Sequence, residues 1–455
     1  MERLRRRLLT TFDLEPGEAA PALQSALLFY LLLSSYYLLR PLREEMGLAA
    51  GVENLPAMWA GTLAGTAALA PVFGWLVRRY RREVFLPLVY RFFAVNLLGF
   101  QLAWRLCDES QVIALGRVFY VWLSVFNMLA VSLFWSLMAD GFGYRRSRRL
   151  FGLLAIGGTA GAILGSGLTA ALVGRIGHAW LMVISAALLE LGVRVVGRLV
   201  HRFDAAGYRG DDPPPTPIAG RGRGVLAGIT LTFTSPYLLA VAGYLFLYSL
   251  TSTFLYFQQA HVVDAQALTR EGKAALFASI DLWANLLTLA CQLLLTGRLL
   301  RRLGTGRVLA LMPAGTAIGF AALAIAPGLA TLVVFQVVRR AANYALARPA
   351  RETLFTTVDD DARYKAKSFI DTFVYRGGDL LGAGTVKAFG VAGLGLGPLA
   401  LIAVPCAGVW TWLALYLGRR QQAGAAAGLR AEPDGPASSC NGSRRPRAQV
   451  RNRPR

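Results

Sequence analysis

Residues 343–382 read NYALARPARETLFTTVDDDARYKAKSFIDTFVYRGGDLLG, which sets Arg348, Arg351, Glu352, Lys365, Lys367, Asp371, Arg376 and Asp379 between two strongly apolar segments. A charge inside a bilayer costs roughly 3 kcal/mol on insertion scales, so such residues pair with one another or line the path of a solute. The remainder of the chain reads as a scaffold around them.

That scaffold belongs in a membrane. Of 455 residues, 55% are hydrophobic and 16% charged, whereas a soluble domain carries about 25% charged residues. Mean hydropathy is +0.46, and apolar runs of ~20 residues, enough for one bilayer-crossing helix, recur throughout. The net charge of +22 does not form a nucleic-acid face. It falls in seven clusters: Arg3 to Arg7, Arg78 to Arg82, Arg145 to Arg149, Arg194 to Arg223, Arg298 to Arg307, Arg339 to Lys367, and Arg419 onward. Between them lie base-poor turns near Ala49, Asp108, Gly177, Asp264, Pro327 and Leu396. Lys/Arg-rich loops stay cytoplasmic, so both termini are expected in the cytosol with six out-and-back hairpins between them. The reading is an all-α polytopic membrane protein of about twelve transmembrane helices in a bacterial cytoplasmic (inner) membrane. Its environment is the lipid bilayer, with no nucleic-acid partner, and it is expected to be monomeric.

The expected organisation is a cytosolic segment (1–20), a six-helix bundle (21–200), a cytosolic linker (201–224), a second six-helix bundle (225–418) and a disordered basic tail (419–455). The linker contains DDPPPTP and RGRG, a composition that flexes. The acids Asp13, Glu15 and Glu18 interrupt the basic opening before the first apolar run, so the first span is expected to act as an uncleaved insertion signal. The cysteines Cys107, Cys291, Cys406 and Cys440 have no metal or redox spacing. His178, His201 and His261 read as isolated. No phosphate-binding G-x-x-x-x-G-K-[ST] string is present, and no Ser/His/Asp arrangement suggests catalysis. The expectation is therefore no enzyme, no metal and no cofactor.

An internal repeat supports two halves. Gly74-Trp75-Leu76-Val77-Arg78-Arg79 is echoed by Gly297-Arg298-Leu299-Leu300-Arg301-Arg302, and Asp140, Arg145, Gly157 and Gly158 recur as Asp360, Lys365, Gly377 and Gly378. A same-direction repeat of six spans describes two pseudo-symmetric bundles with a solute site between them. The G-x-L-x-R-R element resembles the loop motif of the major facilitator superfamily.

Within that frame, Arg40 and Glu44 lie four apart on one helix face and are expected to pair, leaving Arg43 to face a central cavity. Arg348 and Glu352 form a second four-apart pair beside Arg351. Arginine suits phosphate or carboxylate because its planar fork donates two parallel hydrogen bonds. Arg376 and Asp379, three apart, are expected to pair as a structural or gating contact, with Asp371 a turn earlier. Asp281 and Asn285 share a face and are candidates for a coupling proton or cation. Glu190 and Arg194 read as a structural pair.

The string YYLLRPLREEMG resembles the first-helix signature of the ATP/ADP translocases of plastids and intracellular bacteria, matching at Arg40, Arg43 and Glu44. VSLFWSLMAD (Val131 to Asp140) is similar to the end of that family's fourth helix. Tyr344, Ala345, Leu346, Arg351, Glu352, Lys365, Lys367 and Asp371 match a further family string in order. The resemblance implies a major facilitator fold with a basic, cytosol-facing nucleotide site. Three features depart from it. Arginine stands at 43 and 351 where the family uses lysine for nucleotide phosphates, the fourth span offers Asn127 in place of an acid, and STFLYFQQA (252–260) lacks the acid that the family carries in or just before its eighth helix.

These observations give a secondary active transporter for an anionic solute, with ATP/ADP-type nucleotide exchange as a specific case. Arg40, Arg43, Arg348, Arg351 and Arg376 are the expected substrate-binding residues, and Glu44, Glu352, Asp371 and Asp379 the expected gating or ion-pair residues. One alternative is a proton-coupled carrier or exporter using Asp281 or Asp371; another is a membrane scaffold that transports nothing.

Overall fold

The computed structural model describes residues 17–80, 82–205, 224–355, 366–367, 369–392 and 397–431. The expected linker (206–223), Lys365, the glycine-rich turn at 393–396 and the tail beyond 431 lie outside the described residues, as does the side chain of Asp371.

Among the described residues every regular element is helical. Six helical stretches are long and apolar enough to cross a membrane: Ala19–Ala49, Val84–Leu106, Gln111–Met138, Gly152–Phe203, Pro236–Asp264 and Arg270–Ile325. Gly152–Phe203 and Arg270–Ile325 are each long enough for two crossings at 1.5 Å per residue. Gly177 (φ 72) and Gly304 (φ 74) mark the breaks in them, at a backbone conformation glycine adopts without strain. Leu55–Arg79, Leu329–Ala342 with its continuation, Tyr375–Val391 and Gly397–Ala431 supply the second, tenth, eleventh and twelfth spans. The result is an all-α polytopic membrane protein of two six-helix bundles.

The first span (Ala19–Ala49) shows why the chain folds this way. Gly157, Gly161 and Gly165 of the fifth span lie against the carbonyls of Ala26, Tyr30 and Ser34, where no Cβ would fit. One turn further Thr169 Oγ1 donates to the Leu38 carbonyl at 2.7 Å. Both series climb together, so the two spans run parallel, and small residues four apart let their backbones touch. The sixth span returns antiparallel, with Ser185 hydrogen-bonded to Ser35 at 2.7 Å.

The second bundle repeats the device about 220 residues on. Gly378 and Gly382 sit on Phe246 and Leu250 of the seventh span, and Ser249 Oγ donates to the Tyr375 carbonyl at 2.7 Å. The sequence comparison matched Gly157 with Gly377. The structure moves the match by one residue, because Gly378 and not Gly377 makes the backbone contact.

Each bundle has its own apolar core, one built around Leu32, Phe134 and Leu189 and the other around Tyr244, Met312 and Trp410. A third cluster joins the bundles, with Leu48, Leu55 and Met58 from the first half and Phe254, Phe257 and Phe277 from the second. It lies at the base-poor ends of the spans. Valine at Gly161 should lower thermal stability in detergent by about 1–3 kcal/mol through overpacking. Alanine at Gly192, whose added Cβ meets Leu28 at an ordinary 3.6 Å, should leave the melting midpoint nearly unchanged.

Candidate solute site between the bundles

Two adjoining cavities lie between and beside the bundles. The central one, about 470 Å³, is lined from the first half by Arg40, Arg43, Glu44, Trp59, Tyr120, Ser124 and Asn127, and from the second by Thr253, Tyr256, Tyr375, Arg376 and Asp379. The other, about 370 Å³, lies towards the basic ends of the tenth and eleventh spans and is lined by Tyr248, Asn343, Tyr344, Arg348, Arg351, Tyr375 and Arg376. Arg40, Arg43, Arg348, Arg351 and Arg376 all line one cavity or both. A larger groove of about 610 Å³ runs past exposed Phe92 and Val118 on the outer surface and is almost wholly apolar, so it suits acyl chains.

Local backbone irregularity presents these side chains. π-helical turns at Asn343–Ala347 and Ile370–Val374 immediately precede Arg348 and Tyr375. Such single-turn bulges shift the helical register and are frequent at functional sites. A third, at Gln292–Thr296, packs against the first of them. Thr296 donates to the Ala345 carbonyl at 2.8 Å and Gln292 to the Tyr344 carbonyl at 3.4 Å. Backbone groups freed inside a membrane need such partners.

The ion pairs differ from those the four-apart spacing suggested. Arg40 does not pair with Glu44; it reaches across the bundle interface to Asp281, which Arg340 also binds. Glu44 instead binds Arg43, the arginine expected to lack a committed partner. Arg43 also donates to Ser124 at 3.1 Å, and Tyr256 of the second bundle donates to Glu44 at 2.9 Å. The Tyr256 hydroxyl in turn meets Tyr120 at 2.9 Å, and Trp59 donates to Tyr120 at 3.0 Å. Asp281, expected to be open to a coupling ion, is buried beneath two guanidinium groups, while the Asn285 amide nitrogen is buried without a hydrogen-bond partner.

Glu352 does not pair with Arg348. Lys367 takes it at 2.5 Å, and Arg348 lies over the Tyr344 ring at 5.4 Å. Arg376 reaches Asp379 at 3.4 Å, and Ser249 and Thr253 also donate to that carboxylate. Glu190 is 3.9 Å from Arg194, but its stronger partner is Arg91 of the third span, which donates twice at 3.1 Å.

The sequence reading missed several residues. Arg339, 8% exposed, is bonded by Thr316, Thr251 and Ser252, all neutral, and lies over the Tyr248 ring. Arg339 and Arg340 were assigned to a basic loop, yet they fall inside the apolar run 329–347, and a charge within a span is the signal that could have found them. Nor is His178 isolated. Glu45, 1% exposed, receives Arg270 at 2.6 Å and faces His178 at 3.3 Å; His178 stacks on Trp104. Arg40–Asp281, Tyr256–Glu44, Tyr256–Tyr120, Arg270–Glu45 and the contacts of Trp59 and Trp104 with the second bundle join the two halves between mid-span and the base-poor end. These contacts latch the bundles at that end. Among the described residues no group of three His, Cys, Asp or Glu is arranged to hold a metal ion.

Comparison with solved structures gives the same architecture at low sequence identity. A POT family transporter in complex with 5-aminolevulinic acid aligns with TM-score 0.60 and 11% identity, over 87% of this chain and 96% of that one. A bacterial homologue of the iron transporter ferroportin, in an inward-facing state, aligns with TM-score 0.59 and 13% identity, over 88% and 98%. The nucleoside transporter NupG aligns with TM-score 0.51 and 15% identity, over 87% and 98%. The chain has the major facilitator fold. No family model matches the sequence, and no curated protein matches it. Within this fold the two cavities occupy the interface between the bundles and the second bundle beside it.

The arrangement around Asp281 yields an asymmetric expectation. Arg40→Gln or Arg340→Gln each leaves a one-to-one pair and should cost little stability. Asp281→Asn strands two guanidinium groups and should cost about 3–5 kcal/mol, as for a broken buried pair. Adding Arg340→Gln to Asp281→Asn should restore part of that loss. Thermal unfolding of the purified variants measures all four.

Proposed function

We propose that the protein is a secondary active transporter that carries an anionic solute by alternating access. The observation that supports this reading most is charge surplus. Around the two cavities stand seven guanidinium groups (Arg40, Arg43, Arg339, Arg340, Arg348, Arg351, Arg376) against three carboxylates (Glu44, Asp281, Asp379), a surplus of four among the described residues. Such a surplus at membrane depth favours water or an anion nearby. Aromatic rings from both halves flank it, so an anion with a planar ring fits as well as a bare one. A nucleotide, exchanged in the manner of the ATP/ADP translocases, is the specific solute to test first.

Alternating access follows from the same geometry. Glu45–Arg270, Glu44–Tyr256 and Arg40–Asp281 cross the bundle interface, and all must part for the base-poor end to open. A solute drives that change only by binding the two states unequally. An anion that competes with Glu44 and Asp281 for their arginines has that property. By the distribution of Lys and Arg the basic end faces the cytosol, as in a multi-pass protein of a bacterial inner membrane.

Purified protein in liposomes, preloaded with ADP, phosphate or buffer, gives the test. Labelled ADP or phosphate should enter faster when an anion is present inside, and Arg43→Ala or Arg351→Ala should slow entry at least tenfold, equivalent to about 1.4 kcal/mol. Uptake of neutral adenosine at the same rate, indifferent to both substitutions, would sink the reading.

A further inference from the structure

The two cavities share Tyr375 and Arg376 but differ in how their charge is compensated. In the central cavity each guanidinium has a carboxylate: Arg40 has Asp281, Arg43 has Glu44 and Arg376 has Asp379. In the cavity nearer the basic end, Arg348 and Arg351 have no carboxylate within ion-pair reach among the described residues. Glu352, the one acid beside them on their own helix, is turned to Lys367. Behind the cavity wall, Arg339 adds a buried positive charge whose bonding partners are all uncharged.

We propose that this cavity, whose described lining carries no acid, is a separate docking station for the solute, occupied before the central cavity, and that it recognises a doubly charged oxyanion headgroup of phosphoryl type. Two guanidinium forks three residues apart, with no carboxylate partner among the described residues, supply the donors such a group needs, and Arg forks match oxyanion geometry in pairs. An anion arriving from the basic end meets these two cations first. To move on it must displace Asp379 from Arg376, then Glu44 and Asp281 from Arg43 and Arg40. Arg376 lines both cavities and so hands the headgroup from one to the other. Each arginine lining the central cavity keeps a carboxylate partner until that moment, Arg40 sharing Asp281 with Arg340.

The inference rests on the anion reading above, so its test needs no known substrate. In protein with Cys107, Cys291, Cys406 and Cys440 replaced by serine, a reporter thiol is placed as Asn343→Cys in the docking cavity or as Asn127→Cys in the central one. Each is reacted with methanethiosulfonate reagents bearing a sulfonate or a trimethylammonium, with rates normalised to those of a small thiol in solution. Local surplus charge raises counter-ion encounter rates by ~10-fold or more. The sulfonate reagent should therefore be preferred at least tenfold at Asn343→Cys and about equally with the cation at Asn127→Cys. Arg348→Gln with Arg351→Gln should abolish the preference, whereas Arg348→Lys with Arg351→Lys, which keeps both charges, should retain it and control for loss of fold. No preference at Asn343→Cys, equal preference at both thiols, or preference surviving the double glutamine variant overturns the docking station. Anion uptake without the preference would leave transport standing and remove the station; the preference without uptake of any anion would do the reverse.

Discussion

A guanidinium group held at membrane depth must find a carboxylate, a hydroxyl or carbonyl oxygen, water or a bound anion, and this constraint shapes the interface between the bundles. Asp281 answers it twice, accepting Arg40 from the first bundle and Arg340 from its own. Glu44 answers it for Arg43 and at the same time accepts the Tyr256 hydroxyl across the interface. The groups that satisfy the charge are therefore also the groups that hold the bundles together. The proposed anion, in competing for the arginines, would act on the closure of the bundles as well as on the site.

The latch at the base-poor end has a second layer. Glu45, adjacent to Glu44 but pointing to a different neighbourhood, is held by Arg270 of the second bundle beside His178 and Trp104. Two consecutive acids of the first span thus serve two purposes, one at the cavity and one at the seal. The apolar contact of Leu48, Leu55 and Met58 with Phe254, Phe257 and Phe277 backs the seal. Each bundle is held by glycine-mediated contact of parallel spans.

The fold was legible because its signals are long and repetitive. Apolar runs, alternating basic clusters and the displaced Gly157/Gly378 pattern all survive without knowledge of contacts. The five candidate arginines stood out by residue type, because a charge is expensive in a span, and the structure places all five on the walls of the two cavities. Their partners were not. Spacing of four on a helix suggested Arg40 with Glu44 and Arg348 with Glu352, but the structure gives Arg40 to Asp281 and Glu352 to Lys367. A helical-face argument sees only neighbours on the same helix, whereas a charge deep in a bundle pairs with whatever approaches from other spans. His178 and Arg340 were misread for the same reason, since their partners lie far away in sequence.

The central claim is that the space between and beside the bundles binds an anion through surplus arginine charge. Thermal unfolding of the purified protein, titrated with phosphate, citrate, ADP and neutral adenosine at matched ionic strength in chloride, tests it most directly. A ligand at a hundred times its dissociation constant stabilises the folded state by about 2.7 kcal/mol. The account predicts a rising midpoint with the multivalent anions, little with adenosine, and loss of the effect in Arg348→Gln with Arg351→Gln. A midpoint that does not respond to any of these anions, or that responds equally to adenosine, would contradict it.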